Sequence, residues 1–307
     1  MKGYEAVRNK AAWLDVSGRG KIRVNGEDRA RLLHAMTTNH IEQLTPGTGC
    51  YAYFLSAQGR ILADVNVLCR PDYFLLDTEA ETREKVYQHL DKFIIADDVT
   101  LEDQTAEMAT IAVEGPQAGA VLKALGAPAP ESDCGSEEWE DGLVARATIT
   151  GGPGWLLIVP AGGKQDLVRR LEGAGAEAAD EEAFRTVRIE NGRPRYGEDL
   201  SERYLAQEAN QARALHFSKG CYLGQEIVER VRSRGQVHRI LVPVRLDAQV
   251  PPPAGTKLQH DGASVAEITS AAYSPGLGKV VGLAYVRTEH ARAGEPLELD
   301  GVWGVVG

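Results

Sequence analysis

Long apolar runs are missing from this chain. Nowhere do about 18 consecutive apolar residues occur, the length a membrane-crossing helix needs, so no such helix is expected. The first ten residues, Met1–Lys10, carry no apolar stretch of the kind found in a secretion signal, and a cytoplasmic protein is expected. Cysteine is scarce: Cys50, Cys69, Cys134 and Cys221. None of the four stands in C-x-x-C spacing, so no local zinc or cluster-ligand set is visible. A disulfide framework is not expected without a secretion signal. Positive charge is also in deficit, with 34 Lys and Arg against 44 Asp and Glu and a net charge of −10. That balance disfavours non-specific nucleic-acid binding, because the phosphate backbone rewards cations. A local basic patch remains able to hold an anion.

What is present is a packed-protein composition. Of 307 residues, 43% are hydrophobic and 25% charged. At roughly 100–200 residues per domain, two or three domains are expected.

Two stretches read alike. The first opens with a strand at Lys21–Val24 and a helix from about Glu27 to Met36, with Leu32, Leu33 and Met36 at helical spacing. Strands at Tyr51–Leu55, Ile61–Leu68 and Tyr73–Leu76 follow, then a helix at Glu79–Phe93 and a strand near Val99–Leu101. The second opens at Met108–Val113, and Gly115-Pro116 starts a helix to about Leu125, since proline suits a first turn. Strands at Val144–Ile149 and Trp155–Val159, a helix at Gln165–Leu171 and a helix from Asp180 to Ile189 complete it. Each order suggests an antiparallel sheet with helices on one face, an α+β unit of the ferredoxin-like kind. From about Ile240 the pattern changes to short strand-like pieces at 242–246, 266–270, 280–285 and 296–299. Turn formers such as Pro251-Pro252-Pro253 and Asp261-Gly262 separate them, so a small all-β sandwich or barrel is expected. The expected division is 1–236, with similar halves at about 15–107 and 108–236, followed by 240–307.

Chemistry concentrates around Lys219-Gly220-Cys221-Tyr222-Leu223-Gly224-Gln225-Glu226. Gly224–Val231 reads as a helix, which places Cys221 in the loop at its start. A helix N-terminus and a neighbouring Lys219 ammonium both favour thiolate over thiol; the alternative is a packed, inert thiol. Gly220 and Gly224 suit a turn or a close backbone approach. Arg230, Arg232 and Arg234 alternate, and an extended backbone would turn all three to one face, fit for a polyanion; the alternative is a solvated edge. Glu190, in Arg188-Ile189-Glu190-Asn191-Gly192, could accept paired N–H bonds from a heterocycle such as a pterin, or be a solvated helix-end acid. Asp64, inside an apolar-leaning strand, is costly unless paired or solvated. It is read as a candidate catalytic acid or an outward-facing strand residue.

Lys219–Glu226, followed by Arg230 and Arg234-Gly235, resembles the signature of the YgfZ-type folate-binding proteins, relatives of the glycine-cleavage T-protein, the aminomethyltransferase. Leu14–Ser17, Ile111–Pro116, Arg188–Gly192 and Ile268–Gly278 resemble further segments of that family. The resemblance implies three domains around a central channel that takes tetrahydrofolate, with the first two domains interleaved. It implies Glu190 as a folate ligand, with Arg230, Arg232 or Arg234 meeting the glutamate tail of a folate derivative and Cys221 as the working thiol. The aminomethyltransferases carry an aspartate pair after a Gly-Gly turn; here Gly59-Arg60-Ile61-Leu62-Ala63-Asp64 offers one of each. They carry a Gly-Tyr-Thr-Gly-Glu run where this chain reads Gly151-Gly152-Pro153-Gly154-Trp155. These departures favour the YgfZ-type branch, which implies an accessory role in iron–sulfur cluster assembly or repair, with cluster client or assembly proteins as partners and an indirect link to tRNA modification. The alternatives are aminomethyl transfer to tetrahydrofolate, with Asp64 as the acting acid, and a tRNA-binding module.

Overall fold

A computed structural model describes residues 1–307 apart from Gln236; the side chain of Arg234 also lies outside the description. The first sheet has five strands in the spatial order Gly49–Leu55, Ile61–Cys69, Phe74–Thr78, Gly20–Asn25 and Thr100–Asp103, all neighbours antiparallel. Successive strand residues point to opposite faces. Ala63, Val65 and Val67, with Ala52 and Phe54, pack against Leu32, Leu33 and Met36 of the helix Arg29–Met36 and against Val86 and Leu90 of the helix Arg83–Asp91. The alternate residues Tyr51, Tyr53, Leu55 and Leu68 enter a second core on the other face. Asp64 and Asn66 share that inner face.

The second sheet runs Glu177–Ala178, Ala12–Asp15, Met108–Glu114, Gly154–Pro160, Gly142–Ala145 and Ser136–Trp139. Its helices Ala118–Ala124 and Lys164–Gly173 cover one face through Val121, Leu122, Leu167 and Leu171. Ala112, Leu143, Leu156 and Ile158 turn the other way, into the core that holds Tyr51 and Tyr53. The two open sheet faces therefore meet across one interior. Ala12–Asp15 pairs antiparallel with Met108–Glu114 and parallel with Glu177–Ala178, so a strand from the start of the chain sits inside the second sheet.

The C-terminal strands Arg239–Leu246, Lys279–Arg287, Ala263–Ser274, Lys257–His260, Pro296–Leu299 and Val302–Val306 close a barrel, the closed member of the two all-β forms that the sequence allowed. No helix among the described residues is long and apolar enough to cross a membrane.

Three expectations change. The strand expected over Val144–Ile149 ends at Ala145. The amides of Ile149 and Thr150 instead donate to the buried carboxylate of Glu114, which removes them from the ladder. The helix expected over Glu79–Phe93 is a 3₁₀ turn at Ala80–Thr82 followed by Arg83–Asp91; Thr82 donates from both its amide and its hydroxyl to the Glu79 carbonyl, 3.0 Å each, tightening that turn. The stretch holding Arg230, Arg232 and Arg234 is helical, Gln225–Arg234, and not extended.

The barrel is tied to the rest at a buried ion pair. Arg188 donates to Asp199 at 2.5 Å, and the same carboxylate accepts from the Arg195 amide, the Thr269 hydroxyl and the Ser270 hydroxyl. Thr269 and Ser270 belong to the barrel strand Ala263–Ser274. Removing one partner of a buried pair strands the other charge, at about 3–5 kcal/mol. Asp199→Ala is therefore expected to lower unfolding free energy in denaturant titration by that order; an unchanged midpoint would refute the assignment of Asp199 as the tie.

Candidate functional site

The interior between the sheets narrows around Asp64. This small cavity, about 30 Å³, is lined by Arg19, Tyr51, Asp64, Glu79, Thr148, Arg188, Arg193 and Arg195, among others. It lies between two wider clefts. One, about 400 Å³, shares Arg19, Glu79, Arg188 and Arg195 with it. The other, about 330 Å³, shares Asn66, Thr148 and Arg193 and is rimmed by Arg146 and Arg213. Clefts of this size are in the range that small ligands use.

Asp64 is 8% exposed. One of its oxygens, Oδ2, accepts from the Tyr51 hydroxyl at 2.8 Å. The other, Oδ1, is buried and has no hydrogen-bond partner among the described residues. Burial lifts its pKa from the ordinary 3.8 to about 6, with the charge of Glu79 adding to the lift and the Tyr51 hydrogen bond opposing it. The cations nearby are mostly engaged. Arg19 grips Asp77 through Nε and Nη2 at 2.8 Å each and also contacts Glu79. Arg195 reaches Glu79 at 3.1 Å and Glu81 at 2.8 Å. Arg193 and Arg213 lie over the Tyr51 ring at 5.1 and 4.1 Å. Arg213 binds Asp133 through Nη1, leaving Nε and Nη2 buried and unpartnered among the described residues. The result is a carboxylate with one open acceptor, in a cavity whose rim carries guanidinium donors. Such a site can take a ligand with an N–H edge at one end and carboxylates at the other.

Known proteins share this architecture. The GCVT N-terminal domain matches residues 2–219 and the glycine cleavage T-protein C-terminal barrel domain matches residues 239–302. The chain belongs to the glycine cleavage T-protein family. An aminomethyltransferase of Rubrobacter xylanophilus is 33% identical over 297 residues, covering 93% of this chain and 78% of that protein. A putative chloroplastic transferase of Arabidopsis thaliana is 27% identical over 313 residues, covering 99% and 72%. The glycine cleavage system aminomethyltransferase T of Bartonella henselae superposes with a TM-score of 0.91 at 23% identity, covering 99% of this chain and 87% of that one. The fold is T-protein-like: mixed α+β sheets with a closed six-stranded C-terminal barrel. Relatives of this chain are named aminomethyltransferase.

Within this T-protein fold the residues picked out from the sequence fall in three places. Asp64 alone of them lines the narrow cavity. Glu190 lies elsewhere: its carboxylate accepts from the Tyr4 hydroxyl, sits 3.9 Å from Arg8, and lines a cleft with Asn191, Arg245 and Leu277. Arg188 and Glu190 are two residues apart on one helix, about 200° around its axis, which turns Arg188 inward and Glu190 away.

The segment 219–226 docks on the C-terminal end of the helix Arg29–Met36. Lys219 is buried, and its ammonium donates to the carbonyls of His34 and Thr37, 2.5 Å each, a favourable place for a cation. Its ammonium is thereby committed to capping that helix, which corrects the expectation of a cation free to activate Cys221. Burial lowers the Lys219 pKa to about 8. Leu223 donates its amide to the Ala35 carbonyl, and Gln225 accepts from the Tyr222 amide. Gly224 has φ 87°, and a Cβ there would meet the Ser56 carbonyl at 2.7 Å, so only glycine fits. Gly220 packs beside the His34 ring. Cys221 is left exposed, three residues before the helix cap, while Cys69 and Cys134 are buried and Cys50 is half-buried with its thiol pushed up to about 12.

On the helix that follows, Arg230 pairs with exposed Glu226 at 2.9 Å, and Arg232 stacks on Phe217 at 4.7 Å. Neither lines the cavity or its two clefts. The inward arginines 19, 188, 193, 195 and 213 were missed in the sequence. The run Arg193-Pro194-Arg195 beside Glu190 held the nearest signal.

The lifted pKa of Asp64 has a stability consequence. Folding favours its protonated form, so the stabilisation is complete below the ordinary 3.8 and is lost as pH rises through about 6. Asn in place of Asp64 keeps an acceptor for Tyr51 and carries no charge. Asp64→Asn is therefore expected to gain stability over the wild type between pH 4 and 7, by about 1–3 kcal/mol at pH 8. Thermal melts across that range test it; a difference that does not change with pH would refute it.

Proposed function

We propose that the protein binds tetrahydrofolate between its two sheets, against Asp64, and acts as an accessory protein in iron–sulfur cluster assembly or repair. The observation that carries the folate reading is the open Oδ1 of Asp64 in an arginine-rimmed cavity. A pterin presents N–H donors and a folate tail ends in carboxylates, so each end of the ligand meets its complement. The family relationship supports the same ligand. The accessory role rests on the Lys219–Glu226 segment. It holds Cys221 at the surface, where the thiol can meet a client protein by exchange. Direct tRNA binding is disfavoured by the net charge of −10 and by the pairing of Arg230 with Glu226.

Aminomethyl transfer to tetrahydrofolate is the second reading. It is favoured by Asp64, a carboxylate with a pKa of about 6 that is positioned to manage a proton on a bound amine, and by the relatives named aminomethyltransferase. Against it, the first residue of the expected aspartate pair is replaced by Ala63, which faces the apolar core beneath the helices and not the cavity.

A tetrahydrofolate titration separates the residues. Loss of a charge-assisted hydrogen bond costs about 1.5–3 kcal/mol, so Asp64→Asn is expected to weaken binding about tenfold or more. Glu190→Ala and Cys221→Ala should bind as wild type does. Weakening by Glu190→Ala with full affinity in Asp64→Asn would move the site. Cys221→Ala should lower cluster-enzyme activities in cells. Formation of methylene-tetrahydrofolate from an aminomethyl donor, abolished by Asp64→Asn and kept by Cys221→Ala, would establish the transferase reading instead.

A further inference from the structure

The barrel carries a group of side chains that the folate reading does not use. His260 ends the strand Lys257–His260, His290 ends the 3₁₀ turn Thr288–His290, and Glu295 immediately precedes the strand Pro296–Leu299. His260 is 30 residues from His290 in sequence, while Glu295 follows His290 by five, and one potential ligand atom from each lies within 4.8 Å of the others. All three are partly buried.

The hydrogen bonds fix which nitrogen is available. His260 Nδ1 lies 2.9 Å from the Pro296 carbonyl oxygen. A carbonyl can only accept, so Nδ1 carries the hydrogen. The bare lone pair of the neutral ring is then on Nε2. That lone pair faces acceptors: Glu295 Oε1 at 3.7 Å and Asp261 Oδ2 at 3.5 Å. His290 Nδ1 approaches the same Glu295 oxygen at 3.1 Å. A ring nitrogen pointed at carboxylate oxygens calls for a positive charge there, supplied either by a proton on the ring or by a metal ion between them. An imidazole that donates its second nitrogen to a backbone carbonyl is also the arrangement that orients a metal-ligating histidine.

The spacing agrees. Zinc binds histidine nitrogen and carboxylate oxygen at about 2.0–2.2 Å with tetrahedral angles, which sets neighbouring donors about 3.3–3.5 Å apart. The two histidine-to-Glu295 separations, 3.1 and 3.7 Å, lie either side of that value, the shorter being also a hydrogen-bond distance, and the two rings offer nitrogens within 4.8 Å of each other. Exposed Asp261, or water, completes the fourth position.

We propose that His260, His290 and Glu295 form a binding site for a divalent transition metal, zinc in the first instance, on the C-terminal barrel. Two imidazoles select zinc, nickel or copper over magnesium and calcium, which prefer oxygen donors. The ion joins the hairpin turn at Asp261-Gly262, the 3₁₀ turn at His290 and the entry to Pro296. These segments flank the short barrel strands Lys257–His260 and Pro296–Leu299, so the metal's effect is a structural one. None of its ligands lines the Asp64 cavity or the two clefts beside it.

The test uses the full chain, stripped with a chelator and titrated with Zn²⁺ alone by calorimetry, alongside thermal melts. The wild type should bind one ion and melt several degrees higher with Zn²⁺, with Mg²⁺ giving neither effect. The double variant His260→Ala/His290→Ala should melt as the stripped wild type does and lose affinity about tenfold or more. Glu295→Gln, which keeps the side-chain size, should weaken binding as well. Co²⁺ loaded into the wild type should show visible d–d bands, and these should vanish in the double variant, whose melting temperature equal to that of the stripped wild type separates loss of the site from loss of fold. No binding by the wild type, or Zn²⁺ affinity, stoichiometry and melting gain unchanged in the double variant, would overturn the proposal.

Discussion

The Arg188–Asp199 pair is the constraint on which the rest of the molecule hangs. Neither residue is solvated: Arg188 is 2% exposed and Asp199 is fully buried. Such a pair is stabilised by further hydrogen bonds, which are made mostly by Asp199; Arg188 Nε and Nη2 have no hydrogen-bond partner among the described residues, although Nη2 lies 3.2 Å from Glu198. Here the Arg193 carbonyl accepts from Arg188, the Arg195 amide and two barrel hydroxyls donate to Asp199, and the Tyr285 hydroxyl donates to the Asp199 carbonyl. The helix Glu181–Glu190, the turn after it and the barrel are thus held to one carboxylate. The same turn places Arg193 and Arg195 at the cavity edge. The part that fixes the barrel against the sheets also builds the cationic rim of the ligand site.

Asp64 gains its character from the same geometry. Strand alternation puts it with Tyr51 and Tyr53 on the face that meets the second sheet. Burial in that interior lifts the carboxyl pKa and makes the open Oδ1 a strong acceptor. Cys221 has the opposite setting. Its segment is held down by Lys219, Leu223 and Gly224, and the thiol is left in solvent. Under the proposed function, the buried Asp64 would meet folate in one place and the exposed Cys221 would meet another protein in a second.

Much of this was legible in the sequence where one short-range pattern decides the outcome. Ile61–Leu68 is an apolar-leaning run with β-branched residues at 61, 65 and 67, and the strand appears where expected. The turn in Lys219–Glu226 is legible because Gly224 must adopt positive φ against Ser56, whereas the capping role of Lys219 was hidden because its partners His34 and Thr37 lie far away in sequence. Strands such as Ser136–Trp139 and Lys257–His260 were not legible, because their polar residues give no buried face to read. The arginine rim was hidden for another reason. Arg19, Arg188, Arg193 and Arg213 come from four separate segments, and no local spacing announces their convergence. Glu190 stood out in the sequence because Arg188–Gly192 resembles a folate-binding segment of the family, yet helix phase turns Arg188 toward the cavity and Glu190 away from it. The Arg230–Arg234 alternation misled because a helical stretch was read with a strand's period.

The central claim is that folate lies between the two sheets with its heterocycle at Asp64. A crystal structure of the protein soaked with tetrahydrofolate tests this most directly. The account predicts ligand density within hydrogen-bond reach of Asp64 Oδ1, with the glutamate carboxylates directed toward Arg193 or Arg213. Density seated instead in the cleft at Glu190, or along the helix that carries Arg230 and Arg232, would contradict it.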